Sequence, residues 1–356
     1  MENSRASSGQ EGSYFEECNQ FIKIIEELEA SRRYPEDHPQ IFSPTAPHSH
    51  SIILLHGRGS NAERFGVDLL KSRSSEGKNL AECLPGTKFI FPTAKKRRST
   101  VLKRIPINQW FDNFSLNDPS ERQHLQYDGI RETSAFIHDL IEKEACLVGL
   151  SNVGIGGLSQ GCAAALHVLL NFGPKECVGK ESASLAGFVG MSGWLPFADM
   201  LDPQATDRHE QDGEECVDHE DDDIFGSDGE HSDYDDGNKD EKDRVEGEKE
   251  ESLEPRQLRA FNTARDIASL PPLSGTLDEA AAFARTPVFL GHGRHDEEVS
   301  VKLGSQARAV LEALGCKVRW EDYDEGHWYK VPDEIDDIVD FLQTEAGFRM
   351  AENDLV

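Results

Sequence analysis

Gly157-Leu158-Ser159-Gln160-Gly161 is the stretch that decides the fold. It follows a short apolar run, Val153 to Gly156, and precedes a helix-forming run that begins at Cys162. A Gly-x-Ser-x-Gly pentapeptide between a strand and a helix is typical of a nucleophile elbow, in which a sharp turn exposes the serine hydroxyl. Glycines on both sides give such a strained turn the room that it needs. An ordinary serine in a glycine-rich turn could lie in the same pentapeptide, so the assignment of Ser159 as a nucleophile depends on partner residues elsewhere in the chain.

Apolar runs and helical spacings alternate along most of the chain. The helix faces include Ile130 to Ile141 and Leu303 to Leu314. Continuous apolar runs are typical of parallel strands that are buried on both faces. The alternation therefore predicts an α/β fold with a mostly parallel central sheet and helices on both faces. The predicted strands are 51–55, 87–91, 185–191, 287–291 and 317–323.

The charge of the chain is concentrated in one segment. The formal net charge is −30, which argues against a nucleic-acid-binding protein. Residues 207–254 hold 23 Asp and Glu but only five Lys and Arg. Such a composition cannot bury enough apolar surface to offset chain entropy, so we predict a disordered acidic insertion at 203–257. We predict that it interrupts an α/β domain at 46–348, between an N-terminal extension (1–45) with one amphipathic helix and a tail (349–356).

The acidic insertion contains two kinds of candidate site residue. Ser227 and Ser232 each have an acidic residue three positions later, so we predict them as phosphorylation sites of an acidophilic kinase. His209, His219 and His231 lie among carboxylates but without a rigid spacing, so we predict no metal site.

The remaining composition favours an intracellular protein. Seven cysteines are scattered, odd in number and without a Cys-x-x-Cys pair, which is typical of reduced thiols. No apolar run approaches the roughly 18 residues of a membrane span. We predict a cytoplasmic protein, with the nucleus as an alternative. The basic run from Lys95 to Arg104 is either a solvated loop or a contact for anionic lipid headgroups, for the acidic segment or for a nuclear importer.

A serine nucleophile needs a base, and the base needs an orienting acid. In this architecture they follow in the order Ser, acid, His, on loops after strands. Among 13 histidines, His327 follows the last predicted strand in a glycine-containing loop, so we predict it as the base. Asp296 follows the preceding strand and is the predicted acid. Its competitors are Glu297, Glu298, Asp322 and Asp324.

Six motifs of the sequence together resemble those of one protein family. In chain order they are His56-Gly57-Arg58-Gly59, Trp110-Phe111-Asp112, Gly157-Leu158-Ser159-Gln160-Gly161, Trp194-Leu195-Pro196, His292-Gly293-Arg294-His295-Asp296 and Gly326-His327. Over roughly residues 48 to 345, apart from the insertion, the sequence resembles the phospholipase/carboxylesterase family. That family includes the acyl-protein thioesterases, and the fungal-type members are the most similar.

The resemblance implies an α/β-hydrolase fold with Ser159 as nucleophile, His327 as general base and Asp296 as orienting acid. It also implies that the backbone N–H groups of Arg58 and Gln160 form an oxyanion hole. Two positions depart from the family pattern: Arg58 stands where the thioesterases usually have leucine, and Cys162 where many have glycine.

Trp110 and Trp194 are candidates for the substrate pocket. An aromatic residue beside polar groups on a loop can line a pocket, and core packing is the alternative for Trp110.

We therefore predict a cofactor-independent serine hydrolase that cleaves carboxylic esters or thioesters through an acyl-enzyme. S-acylated proteins are candidate substrates, and the membrane contact is at most peripheral. Two alternatives stay open. One is a lysophospholipase-type lipid esterase, and the other is a non-catalytic scaffold whose acidic insertion binds basic partners.

Overall fold

A central sheet organises the chain in this computed structural model, which describes residues 39–173, 184–204, 253–273 and 285–349. Its strands are β1 (Gln40–Phe42), β2 (His50–Leu55), β3 (Thr87–Phe91), β6 (Val153–Leu158), β7 (Gly187–Met191), β8 (Val288–Gly293) and β9 (Val318–Tyr323). A separate hairpin is formed by β4 (Lys96–Ser99) and β5 (Ile105–Asn108).

The sheet has the strand order β1-β3-β2-β6-β7-β8-β9. All neighbours are parallel except β1, which is antiparallel to β3. The mostly parallel sheet predicted from the sequence is confirmed. Because β6, β8 and β9 run the same way, the loops after them leave the sheet at one edge.

Helices cover both faces of this sheet. On β2, Ile53 and Leu55 join one apolar core while Ile52 and Leu54 join the other, and all four are buried. The first core packs against α3, α4, α6 and α7, and the second packs against α1, α2 and α8. The helices are α1 (Ala62–Lys71), α2 (Leu80–Cys83), α3 (Tyr127–Val148), α4 (Gln160–Asn171), α5 (Ala198–Leu201), α6 (Leu253–Ile267), α7 (Val301–Ala313) and α8 (Asp333–Thr344).

The basic run forms the β4–β5 hairpin rather than an irregular loop. Lys95 and Arg97 pair with Glu132 of α3 at 3.1 and 2.9 Å. The tip of the hairpin exposes apolar side chains beside basic ones. Those exposed by more than 40% are Val101, Leu102 and Ile105.

Two predicted boundaries differ from those of the structure. β1 lies inside the predicted N-terminal extension, yet it belongs to the central sheet because it pairs with β3 at the edge. Helix α6 begins at Leu253, so its first residues fall inside the predicted insertion of 203–257. The predicted N-terminal amphipathic helix, the phosphorylation sites Ser227 and Ser232 and the acidic segment of 205–252 lie outside the described residues. Within the described ranges, no helix is long and apolar enough to cross a membrane.

Candidate active site

Ser159 stands at a strained turn between β6 and α4. Its φ of 56° and ψ of −122° are values that L-residues rarely adopt. Its N–H donates to Met191 O at 2.8 Å, which holds the turn against β7. A Cβ on Gly157 would lie 2.6 Å from Leu55 O, and one on Gly161 would overlap the same oxygen. The sequence therefore needs glycine at both positions for close packing against β2.

His327 joins Ser159 to Asp296. Its Nε2 lies 2.9 Å from Ser159 Oγ, and its Nδ1 lies 2.7 Å from Asp296 Oδ2. A carboxylate accepts only, so Nδ1 carries a proton and Nε2 is left to accept the serine hydroxyl. The Asp296 side chain is completely buried, and that of His327 is 25% exposed. The structure thus brings the three predicted residues together in one hydrogen-bonded chain.

Two neighbouring strands place the acid and the histidine side by side. Asp296 follows β8 and His327 follows β9, and these strands are parallel partners. Arg294 N donates to Tyr323 O at 2.8 Å, and His295 N donates to Glu325 O at 3.0 Å. The two loops are therefore tied together by their backbones just before each functional side chain.

The Asp296 carboxylate is surrounded by donors. Its Oδ1 accepts from Glu298 N at 2.9 Å and from Val299 N at 2.8 Å. His292 Nε2 lies 2.9 Å from Val299 O and 3.4 Å from Asp296 Oδ2. Burial by itself raises the pKa of Asp296, but hydrogen bonds from His292, His327 and Val299 N outweigh it and hold the pKa below its usual range.

His292 is a member of the site that the sequence reasoning did not single out. The available signal was its place in the motif, four residues before Asp296 at the end of β8. The competing acids lie differently. Glu297 and Glu298 are exposed, and Asp322 and Asp324 form exposed ion pairs with basic neighbours.

The turn after β2 lies directly against the elbow. A Cβ on Gly57 would be 3.6 Å from Ser159 Cβ. His56 fixes this turn, because its Nδ1 donates to Gly57 O at 2.7 Å while its Nε2 accepts from Ala94 N at 3.0 Å. Burial lowers the pKa of His56 to about 4, although the bond to Gly57 opposes the change. His56 is therefore a neutral structural histidine at neutral pH.

Gln160 is the first residue of α4, and the first intrahelical bond runs from Ala163 N to Ser159 O at 3.0 Å. N–H groups that precede this bond have no acceptor within the helix.

The Gln160 side chain binds the backbone of the Trp110 segment. Its Oε1 accepts from Trp110 N at 3.0 Å, and its Nε2 donates to Phe111 O at 2.8 Å. The Trp110 indole donates to His56 O at 2.7 Å. Trp110 and Trp194 are only 2% and 1% exposed. The structure does not match the expectation that they line a substrate pocket, because both side chains are buried in the apolar core.

A buried carboxyl supports the loop that carries His327. Lys330 N donates to Glu334 Oε2, and Glu334 N donates to Lys330 O, both at 2.9 Å. Glu334 is 1% exposed. Burial raises its pKa to about 8, with the bond from Lys330 opposing and the charges of Asp337 and Glu325 adding to the increase.

In the described ranges, no cluster of three or more His, Cys, Asp or Glu side chains could hold a metal ion. Taken together, a serine at an elbow, an imidazole and a buried carboxylate on a parallel α/β sheet define the class of protein. It is an α/β hydrolase with the side-chain arrangement of a serine hydrolase.

The chain belongs to the phospholipase/carboxylesterase family, whose model matches residues 36–224. It is 31% identical over 169 residues to acyl-protein thioesterase 1 of Schizosaccharomyces pombe, an alignment that covers 47% of this chain and 66% of the relative. The chain thus spans just under two thirds of that relative's length. Acyl-protein thioesterase 1 of Gibberella zeae is 22% identical, over 86% of this chain and 95% of the relative.

A solved structure gives the same fold. The crystal structure of Zea mays acyl-protein thioesterase 2 aligns with a TM-score of 0.54 at 24% identity, and covers 88% of this chain and 100% of that one.

Proposed function

We propose that this protein cleaves carboxylic esters or thioesters through an acyl-enzyme formed on Ser159. The observation that carries the proposal is the unbroken chain of hydrogen bonds from Asp296 through His327 to Ser159, at 2.7 and 2.9 Å. A serine hydroxyl at its ordinary pKa is a poor nucleophile, and this arrangement supplies the base that activates it.

The proposed reaction has two halves. In the first, Ser159 Oγ attacks the acyl carbonyl while His327 Nε2 takes the hydroxyl proton, and Asp296 stabilises the imidazolium. The N–H groups of Arg58 and Gln160 hold the oxyanion, where one donor is worth roughly 3 kcal/mol. His327 then protonates the leaving alcohol or thiol. In the second half, His327 takes a proton from a water molecule, whose oxygen attacks the acyl carbonyl. The bond from the acyl carbon to Ser159 Oγ then breaks, Oγ takes the proton back from His327, and the carboxylic acid leaves.

The relatives' names support acyl thioesters of proteins as the substrate class. Acyl-protein thioesterases from several fungi align with this chain. S-acylated proteins lie at lipid surfaces, so the exposed apolar and basic tip of the β4–β5 hairpin supports peripheral membrane contact. Free thiols at Cys83, Cys162 and Cys316 support a reducing compartment, and we propose the cytoplasm.

A lysophospholipase-type esterase is the second candidate. It is favoured by the alignment with lysophospholipase-like protein 1 of Mus musculus, which is 29% identical over 45% of this chain and 61% of that protein.

Substitution of the nucleophile tests the proposal. Ser159→Ala should lower the turnover of p-nitrophenyl acyl esters by about 10⁴-fold or more while the fold persists. A fluorophosphonate probe should label the wild type and an exposed-serine control, Ser305→Ala, but not Ser159→Ala. Labelling or full turnover of Ser159→Ala contradicts the proposal, whereas a wild type that neither labels nor turns over leaves the scaffold alternative. A matched series of acyl esters, thioesters and lysophospholipids then ranks the substrate classes by kcat/KM.

A further inference from the structure

Arg58 connects the turn beside the elbow to the β4–β5 hairpin. It lies between Gly57 and Gly59, and its guanidinium contacts two side chains of the hairpin region. Its Nη2 donates to Ser99 Oγ at 2.6 Å, and its Nε donates to Gln109 Oε1 at 3.2 Å. Both acceptor residues are 0% exposed. Charged donors make stronger hydrogen bonds than neutral ones, so these two contacts hold the side chain firmly.

The backbone of the same turn is bound to the hairpin as well. Gly59 N donates to Asn108 O at 2.8 Å, and Asn108 Nδ2 donates to Ser60 O at 2.9 Å. Gly59 has a φ of 78°, in the left-handed region that glycine adopts without strain. A turn with glycine on both sides of Arg58 has little stiffness of its own. Besides the contacts of His56 with Gly57 O and Ala94 N, four hydrogen bonds to the hairpin and to Gln109 set the position of this turn.

Asp112 completes the polar group around the guanidinium. Burial lowers the pKa of Arg58, and the Asp112 carboxylate opposes this effect. Asp112 accepts from both the N–H and the hydroxyl of Thr100, and Gln109 Nε2 lies 3.5 Å from it. Arg58 is thus a charged anchor whose partners lie at the base of the hairpin.

We infer that the Arg58 side chain is a positioning residue, through which the β4–β5 hairpin sets the place of the Arg58 N–H in the oxyanion hole. The inference rests on the proposed function. An oxyanion donor acts only when it lies about 3 Å from the charged oxygen. A misplacement of about 1 Å can cost roughly 100-fold in rate. Loss of the anchor should therefore affect the transition state and leave the binding of the ground-state substrate unchanged.

The test compares four variants on p-nitrophenyl butyrate. Arg58→Ala should lower kcat by about 100-fold, with KM within about twofold of the wild-type value. It should also weaken the binding of a trifluoromethyl ketone by a similar factor, because the adduct of this ketone with the serine places an oxyanion in the hole. Ethylguanidinium should restore part of the kcat of Arg58→Ala. Arg58→Lys should give an intermediate kcat because an ammonium lacks the planar fork. Ser99→Ala should lower kcat less, and exposed Arg98→Ala should match the wild type.

Each kcat is calculated from the concentration of active sites, which is measured by titration with the fluorophosphonate, so unfolded protein is excluded from the calculation. If Arg58→Ala does not fold, Ser99→Ala and Arg58→Lys still decide the result. Wild-type kcat in these variants, a loss confined to KM, or reduced thermal stability with normal kcat overturns the inference. If the wild type is active and the variants have the wild-type kcat, only this inference is overturned and the proposed function stands. A wild type that neither reacts with the fluorophosphonate nor turns over esters removes the proposed function and the inference together.

Discussion

Glu334→Gln tests the buried carboxyl beneath the loop that carries His327. In the folded chain the pKa of Glu334 is about 8, against 4.5 for an ordinary glutamate, because the group is almost fully buried. The groups that face it are Tyr323, Asp337, Glu325 and, on α4, Cys162. The difference between the two pKa values, at about 1.4 kcal/mol for each pH unit, corresponds to a change of about 5 kcal/mol in the free energy of unfolding.

The sign follows from proton counting. Between pH 4.5 and about 8, the folded chain keeps the Glu334 proton and the unfolded chain has lost it. The stability contributed by this group is therefore fully present below pH 4.5, falls as the pH rises, and is lost above about pH 8. Glutamine stays neutral at every pH and keeps an oxygen that can accept from Lys330 N.

The assay is urea unfolding of wild type and variant between pH 4.5 and 9. We expect Glu334→Gln to gain stability over the wild type as the pH rises, by several kcal/mol at pH 8.5 relative to pH 4.5. Exposed Glu121→Gln is the matched control, and its difference from the wild type should stay small and flat. A difference between Glu334→Gln and the wild type that is the same at pH 5 and pH 8.5 refutes the reasoning.

Three further predictions concern the elbow and its neighbours. Gly161→Ala should unfold the chain or lower its melting temperature sharply, since the added methyl overlaps Leu55 O; a melting curve like the wild type contradicts the close packing. Cys162 is buried and its pKa is raised to about 12 by burial, so iodoacetamide at pH 8 should leave it unmodified in the folded protein and modify it in urea, as read by peptide mass spectrometry. His292→Ala should lower kcat with little change in KM, because Asp296 loses a donor and orients its imidazole partner less well; an unchanged kcat on p-nitrophenyl esters removes His292 from the site.

The parts of the fold that follow from local patterns were predictable. The apolar runs 52–55 and 89–91 lie in β2 and β3 because a strand that is buried on both faces has no polar alternation. The convergence of Ser159, Asp296 and His327 was predictable because parallel strands deliver their following loops to one edge of the sheet. The structure places the three within hydrogen-bonding distance, and their catalytic roles remain predictions.

Other features depend on tertiary placement and could not be read from spacing. Trp110 follows a polar pair and looks like a pocket residue, yet its indole finds an acceptor at His56 O, 54 positions away in the chain. Arg58 and Ser99 form a hydrogen bond across 41 positions. A basic run also carries no signal of its pairing register, because charged side chains are equally compatible with a loop and with an exposed hairpin such as β4–β5.

The outermost strands have a consequence for self-association. One border of the sheet is β1, only three residues long, and the other is β9, where Arg319 forms ion pairs with Glu321, Asp337 and Asp340. An incoming strand that docked on β9 would have to break these pairs and bury their charges, and β1 offers too few backbone groups to template one. Edge-to-edge pairing between copies of the described sheet should therefore be disfavoured at both borders.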